Sequence, residues 1–247
     1  MFSSIGMSWD FALILILLAV AVPWLGRRRI RQLFAMPQTT KMDRLSLYAS
    51  TIAFQWLAAG VILWRTSAHG IRAAQLGLAI PSPRITIAAA IALSTLILLN
   101  QIFSLRRIAA NPAEIKGTLP QLALKVFPQD SVERLVFFAL VSTVAVCEEI
   151  IYRGFVQFLL QSWSGGAIVV GIVGSAAIFG LAHLYQGARG LVSTSVIGLL
   201  FSAICAGTGS LLAPLIAHFV ADLAAGLLAP RKLRAALASP GQQGTTA

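Results

Sequence analysis

Seven stretches of this chain are apolar and long enough to cross a lipid bilayer, and that restricts the fold before anything else does. The hydrocarbon core takes about 20 helical residues, with about 17–25 the usual range. The candidates fall at about 7–26, 45–64, 84–105, 132–160, 166–183, 190–207 and 210–228. Inside lipid the backbone must satisfy its own hydrogen bonds, so the expected fold is all-α, a polytopic transmembrane bundle of about seven spanning helices. The first stretch and the last two are near the short end, which leaves room for one to be re-entrant. Composition agrees: 57% of the residues are hydrophobic and only 11% charged, where soluble domains carry roughly 25% charged residues.

The net charge of +11 does not point to nucleic acid, because the basic residues form no stripe on a polar domain. They flank the apolar runs, the pattern set by membrane topology and anionic headgroups. With the N-terminus outside, the inner loops and tail hold Arg27, Arg28, Arg29, Arg31, Lys41, Arg44, Arg106, Arg107, Lys116, Lys125, Arg134, Arg189, Arg231, Lys232 and Arg234. The outer loops hold only Arg65, Arg72 and Arg84. This asymmetry predicts an outside N-terminus and an inside C-terminus. The first 26 residues contain no Lys or Arg, so the first run reads as a retained helix rather than a cleaved signal. The expected location is a multi-pass protein of a prokaryotic plasma membrane, with membrane lipids as its surroundings.

Residues 1–107 read as N-terminal membrane helices and 108–131 as an interfacial connection, with Leu119, Leu122, Leu124, Val126 and Phe127 interleaved with Lys116, Gln121 and Lys125. That connection ends in Asp130-Ser131-Val132-Glu133, a capping-box pattern for the helix that follows. Residues 132–230 form the core that carries the polar motifs. Residues 231–247 read as a basic stretch and then a disordered tail, small and polar after Leu237. Cys147 and Cys205 have no C-x-x-C spacing and read as small buried hydrophobes.

Against this background the buried ionisable residues stand out. Glu148, Glu149 and Asp222, three of the eight acidic residues, lie within apolar runs, and His183 and His218 lie in or at the end of such runs. Ionisable groups at membrane depth are costly, mark function and need partners. Glu149 and Arg153 are four apart on one helical face with the acid first, the favourable order for an ion pair. Glu148 is about 140° from Arg153 on a regular helix, so it is left less compensated and better placed to act as a general base. His183 ends a stripe, Gly171, Ser175, Phe179, His183, whose small residues let a neighbouring helix approach closely. His218 and Asp222 are again one turn apart, a pairing shared by metal sites and water-activating sites. Under the predicted topology these groups line one cavity that opens inward, and together they read as a hydrolytic site.

At these residues the chain resembles the type II CAAX prenyl endopeptidase and bacteriocin-processing family of intramembrane proteases. Its E-E-x-x-x-R, F-x-x-x-H and H-x-x-x-N/D motifs appear in order as Glu148-Glu149…Arg153, Phe179…His183 and His218…Asp222, within about 128–228. The resemblance implies an endopeptidase acting on a membrane-associated, prenylated or leader-type peptide. Glu148 and His183 would activate water, His218 and Asp222 would stabilise the oxyanion or orient the site, and Glu149, Arg153 and Phe179 would support it. The eukaryotic prenyl-processing members have Asn where this chain has Asp222. Asn can donate to an oxyanion and an ionised carboxylate cannot, so Asp222 either carries a proton or serves His218 or a metal. No cofactor is firmly implied, but His183, His218, Glu148 and Asp222 would be the ligands of a metalloprotease variant, with zinc the compatible ion. A non-catalytic immunity or scaffold protein is the rival reading. A proton-relay transporter is disfavoured by the lack of an inverted repeat. Neither the substrate nor the oligomeric state follows from these residues.

Overall fold

The computed structural model describes residues 8–111 and 117–238. It is all-helical, with no strand among the described residues. Among the described residues eight helices follow in order: α1 Trp9–Ala35, α2 Lys41–Ala68, α3 Pro83–Ala110, α4 Thr118–Val126, α5 Ser131–Trp163, α6 Ile168–Ala182, α7 Gly187–Thr208 and α8 Leu212–Ala238. Six are long and apolar enough to cross a membrane: α1, α2, α3, α5, the Leu184–Thr208 stretch containing α7, and the Leu212–Arg231 part of α8. The seventh expected span is α6, whose 15 residues fall short. The expected shortfall therefore lies in the fifth apolar run, not in the first or the last two. The basic positions from 231 onward continue helix α8, and the tail from Ser239 lies outside the described residues.

Large apolar side chains face outward along these helices, among them Leu57, Ile91, Phe103, Leu135, Val173 and Val192, as expected of helices whose solvent is lipid. Trp9 and Trp64 are exposed together at one end of α1 and α2, and Trp24 where the apolar run of α1 gives way to its arginines, the placement of an interfacial aromatic belt. In α1 a π-helical turn at Leu17–Ala21 lies just before Pro23, where proline can neither donate its hydrogen bond nor tolerate a regular preceding turn.

Helix α5 is the most enclosed of the six long helices. Asp130 caps its N-terminus, accepting from the Glu133 N–H at 2.9 Å. Only this half of the expected capping box forms. Glu133, fully buried, accepts instead from the Gln129 N–H at 2.6 Å and makes a two-pronged ion pair with Arg44 of α2, Nη2 to Oε1 at 2.8 Å and Nε to Oε2 at 3.1 Å. Lys41, 2.8 Å from Asp130, adds a second, exposed link between α2 and α5. Its hydrogen bond to Asp130 holds that carboxyl below its ordinary range.

The second half of α5 winds into a π-helix at Glu149–Val156, and all eight of its residues are buried. Against it packs the small-residue stripe of α6. A Cβ on Gly171 would stand 2.7 Å from the Gln157 carbonyl oxygen, so only glycine permits this approach. The Ser175 hydroxyl donates to the Tyr152 carbonyl at 2.7 Å. The α7–α8 turn sits deep: Leu211 donates to the Gly77 carbonyl at 2.8 Å, and a Cβ on Gly154 would meet the Leu211 side chain at 3.6 Å and the Leu76 carbonyl at 3.1 Å. Gly77, at φ +72°, provides the left-handed bend that turns this carbonyl toward Leu211. The turn is thus level with the middle of α5, and His218, a few residues later, emerges beside Glu148 and Glu149.

Gly171→Ala is expected to destabilise the protein by about 1–3 kcal/mol through overpacking against a backbone oxygen. Gly60→Ala, with nothing within 4 Å of the new methyl, should be neutral or slightly stabilising in thermal unfolding of the detergent-solubilised protein. Asp130 has a depressed carboxyl pKa, so its stabilisation is complete above its unfolded value of 3.8 and is lost as pH falls through the lower folded value. Asp130→Asn should therefore lower the unfolding temperature at pH 7, with the deficit closing as pH drops below 3.8.

Candidate active site

Arg153 is 2% exposed, and its surroundings show how a guanidinium is kept at this depth. Its Nη1 donates to Glu149 Oε1 at 3.0 Å. Its Cζ lies 4.1 Å from the centroid of the Phe179 ring and 5.1 Å from that of Phe201, and such cation–π contacts strengthen when desolvated. The i, i+4 pair forms as its spacing indicates, although the helix here is π rather than α and the 140° separation of Glu148 from Arg153 on a regular helix no longer describes it. π-Turns inside α-helices are frequent at functional sites.

Glu149 has a second partner that spacing does not reveal. The His218 ring, 6% exposed, places Nδ1 2.8 Å from the same Oε1. A carboxylate paired with Arg153 only accepts, so Nδ1 carries the proton. The other ring nitrogen, Nε2, then points between two further carboxylates, 3.8 Å from Glu148 Oε2 and 3.6 Å from Asp222 Oδ2. His218 also packs edge-on to Phe179, with centroids 6.1 Å apart, and lies 5.7 Å from Phe201. The two rings that hold Arg153 therefore hold the histidine as well.

Glu148 is buried, and its two oxygens differ. Oε1 accepts from Gln55 Nε2 of α2 at 2.8 Å. Oε2 has no hydrogen-bond partner among the described residues and faces His218. Asp222, one turn beyond His218, is the most open of the set, its side chain 39% exposed.

His183 sits just past the end of α6. Its Nδ1 is 2.9 Å from the Phe179 carbonyl oxygen, which only accepts, so Nδ1 donates and Nε2 is left as the bare nitrogen. Its ring lies 4.7 Å from Phe179, centroid to centroid. The two histidines thus flank one aromatic ring. Among the described residues His183 has no hydrogen bond to Glu148.

Sequence reasoning missed Gln55 and Phe201. A lone amide in the apolar run 45–64 was the available sign of the first, but nothing local marked the second. Among the described residues no group of three or more His, Cys, Asp or Glu side chains is arranged as it stands to hold a metal ion. His218 Nδ1 donates to Glu149 and Glu148 Oε1 accepts from Gln55, which leaves His218 Nε2 and Glu148 Oε2 as the atoms that face each other.

Residues 130–224 match the family model described as Rce1-like, type II CAAX prenyl endopeptidase Rce1-like. All three motifs fall inside the match, which nearly coincides with the span 128–228 expected from the sequence. No curated protein and no solved structure matches the chain. Gln55 and all of α1–α3 lie outside the matched region.

Arg153→Met should destabilise the protein by about 3–5 kcal/mol, because it strands the buried Glu149 carboxylate. Gln55→Leu should cost less, about 1–3 kcal/mol, by leaving one oxygen of Glu148 unpaired. Thermal unfolding of the purified variants in one detergent checks both values and their order.

Proposed function

We propose that the protein is an intramembrane endopeptidase that hydrolyses a peptide bond of a membrane-associated peptide, with Glu148 as the general base. The supporting observation is the contrast between adjacent carboxylates. Each has one oxygen without a hydrogen-bond partner among the described residues. Glu149, however, is held by the buried Arg153 guanidinium and the His218 ring, whereas Glu148 accepts only from the Gln55 amide and turns its open oxygen toward His218 Nε2. The match of residues 130–224 to a peptidase family supports the same reaction class.

In this reading water lies against Glu148 Oε2. Glu148 takes its proton as the oxygen attacks the substrate carbonyl carbon, forming the new C–O bond and a tetrahedral oxyanion. The oxyanion is stabilised by Nε2–H of His218 in its imidazolium form, with Glu149 accepting from Nδ1–H and the Glu148 and Asp222 carboxylates, 3.8 and 3.6 Å from Nε2, balancing its charge. On collapse the C–N bond breaks, and Glu148 returns the proton to the leaving amine. The bare Nε2 of His183 accepts from the water or from substrate N–H groups. Asp222, 3.6 Å from Nε2, serves His218, which accommodates a carboxylate where prenyl-processing relatives have an amide. No step requires a metal.

We place the N-terminus outside and the C-terminus inside a prokaryotic plasma membrane. That arrangement requires α6 to count as a crossing. Its 15 residues rise about 22 Å, and the Leu184–Gln186 turn adds to that reach.

Glu148→Gln should abolish hydrolysis of membrane peptides, compared by peptidomics of cells carrying either form, while leaving the unfolding temperature nearly unchanged. The amide keeps an oxygen for Gln55 and loses only basicity. Hydrolysis at the wild-type rate by this variant would refute the assignment. Activity should also survive a chelator; its loss on chelation and recovery with zinc would contradict a metal-free attack.

A further inference from the structure

Glu149, Arg153 and Gln157 recur at four-residue spacing along α5, and together they hold more open hydrogen-bonding atoms than the hydrolytic steps use. Arg153 Nη1 is paired with Glu149, and Phe179 and Phe201 stack against the guanidinium. Its Nε and Nη2 have no hydrogen-bond partner among the described residues. Gln157, 5% exposed, donates Nε2 to the Ser202 carbonyl of α7 at 3.1 Å and leaves Oε1 open. The Ser202 hydroxyl, fully buried, is open as well, and so is Glu149 Oε2. Phe201 and Ser202 are neighbours, so Arg153 and Gln157 present these atoms to one turn of α7.

Buried polar atoms in folded proteins are satisfied by protein groups or by ordered water, and the need is greatest for a charged group. The chemistry of this set decides what satisfies it. An anion would meet the Glu149 carboxylate and the Gln157 amide oxygen, both acceptors. A cation would meet Arg153. An apolar group would leave every one of these atoms unpaired. Water accepts from the guanidinium and donates to the amide and carboxylate oxygens, and the serine hydroxyl can serve in either role.

We infer that α5 and α7 enclose an internal hydration site, in which ordered water bridges Arg153 Nε and Nη2 to Gln157 Oε1, the Ser202 hydroxyl and Glu149 Oε2. It is separate from the water assigned to Glu148 Oε2, because none of its atoms belongs to Glu148, His183, His218 or Asp222. This water is a structural ligand: it completes the hydrogen bonding of the guanidinium and ties α7 to the Arg153–Glu149 pair that holds His218. The site stands independently of the peptidase reading.

X-ray hydroxyl-radical footprinting of the purified protein in phosphatidylcholine nanodiscs, read by mass spectrometry, tests this, because radiolysis of a bound water labels the side chains against it. Phe201 and Phe155 are equally enclosed, 1% and 0% exposed. Phe201 borders the hydration site, whereas Phe155 packs in an apolar cluster against Phe11. Phe201 should therefore be labelled and Phe155 not. Ser202→Ala should reduce the labelling of Phe201, and Ser202→Ala with Gln157→Met should abolish it. Labelling of Phe155 in the double variant would mark unfolding, and Ser202→Ala, which removes a single hydroxyl, is then read alone. An unlabelled Phe201 in the wild-type chain would mean that the cluster is dry and would overturn the inference. Labelling of Phe201 that is unchanged by these substitutions would place the water on the Glu148 side and overturn it as well.

Discussion

The polar centre of this protein depends on keeping one cation, Arg153, inside a lipid-facing bundle. A guanidinium at that depth cannot stand alone, and here its compensation comes from three helices. Glu149 of α5 supplies the charge, and Phe179 of α6 and Phe201 of α7 supply the aromatic faces. The same carboxylate oxygen then fixes His218 of α8. Removing any of these members would leave a buried charge or a loosened ring, so the cluster organises the packing and the chemistry together.

That arrangement separates two glutamates adjacent in sequence. The π-turn beginning at Glu149 turns its carboxylate into the bundle with Arg153, while Glu148, the last residue before it, faces Gln55 and the outer nitrogen of His218. Each keeps one open oxygen, but one carboxylate is structural because a guanidinium and an imidazole share its Oε1. The other can accept a proton because a neutral amide is its one hydrogen-bond donor among the described residues and its open oxygen faces His218. The sunken α7–α8 turn completes the geometry. The Leu211 hydrogen bond to Gly77 and the Glu149 contact to Nδ1 together set the level of His218 relative to α5.

The sequence made legible what lies within single helices. Apolar run lengths gave the all-α bundle, four-residue spacing gave Glu149 with Arg153 and His218 with Asp222, and the Gly171–Ser175 stripe marked a close helix contact. Relations between helices were not legible. His218 is 69 residues from Glu149, and Gln55 is 93 from Glu148; periodicity has nothing to say about such pairs. The Arg44–Glu133 pair was hidden for the same reason, since Arg44 read as a topology signal and Glu133 as a cap. The π-turn also escaped, because no residue type in Glu149–Val156 demands it; it forms where the segment is buried on every side.

The division of roles between the two glutamates depends on Glu149 being shared between Arg153 and His218. A double-mutant cycle on thermal stability, using Glu149→Ala, His218→Ala and the pair, measures that link directly. Groups in one buried network couple by about 0.5–3 kcal/mol, and the geometry predicts a value within that range. Additive effects, with coupling indistinguishable from zero, would mean that the histidine is not held by this carboxylate, and the division of roles between the two glutamates would fall with it.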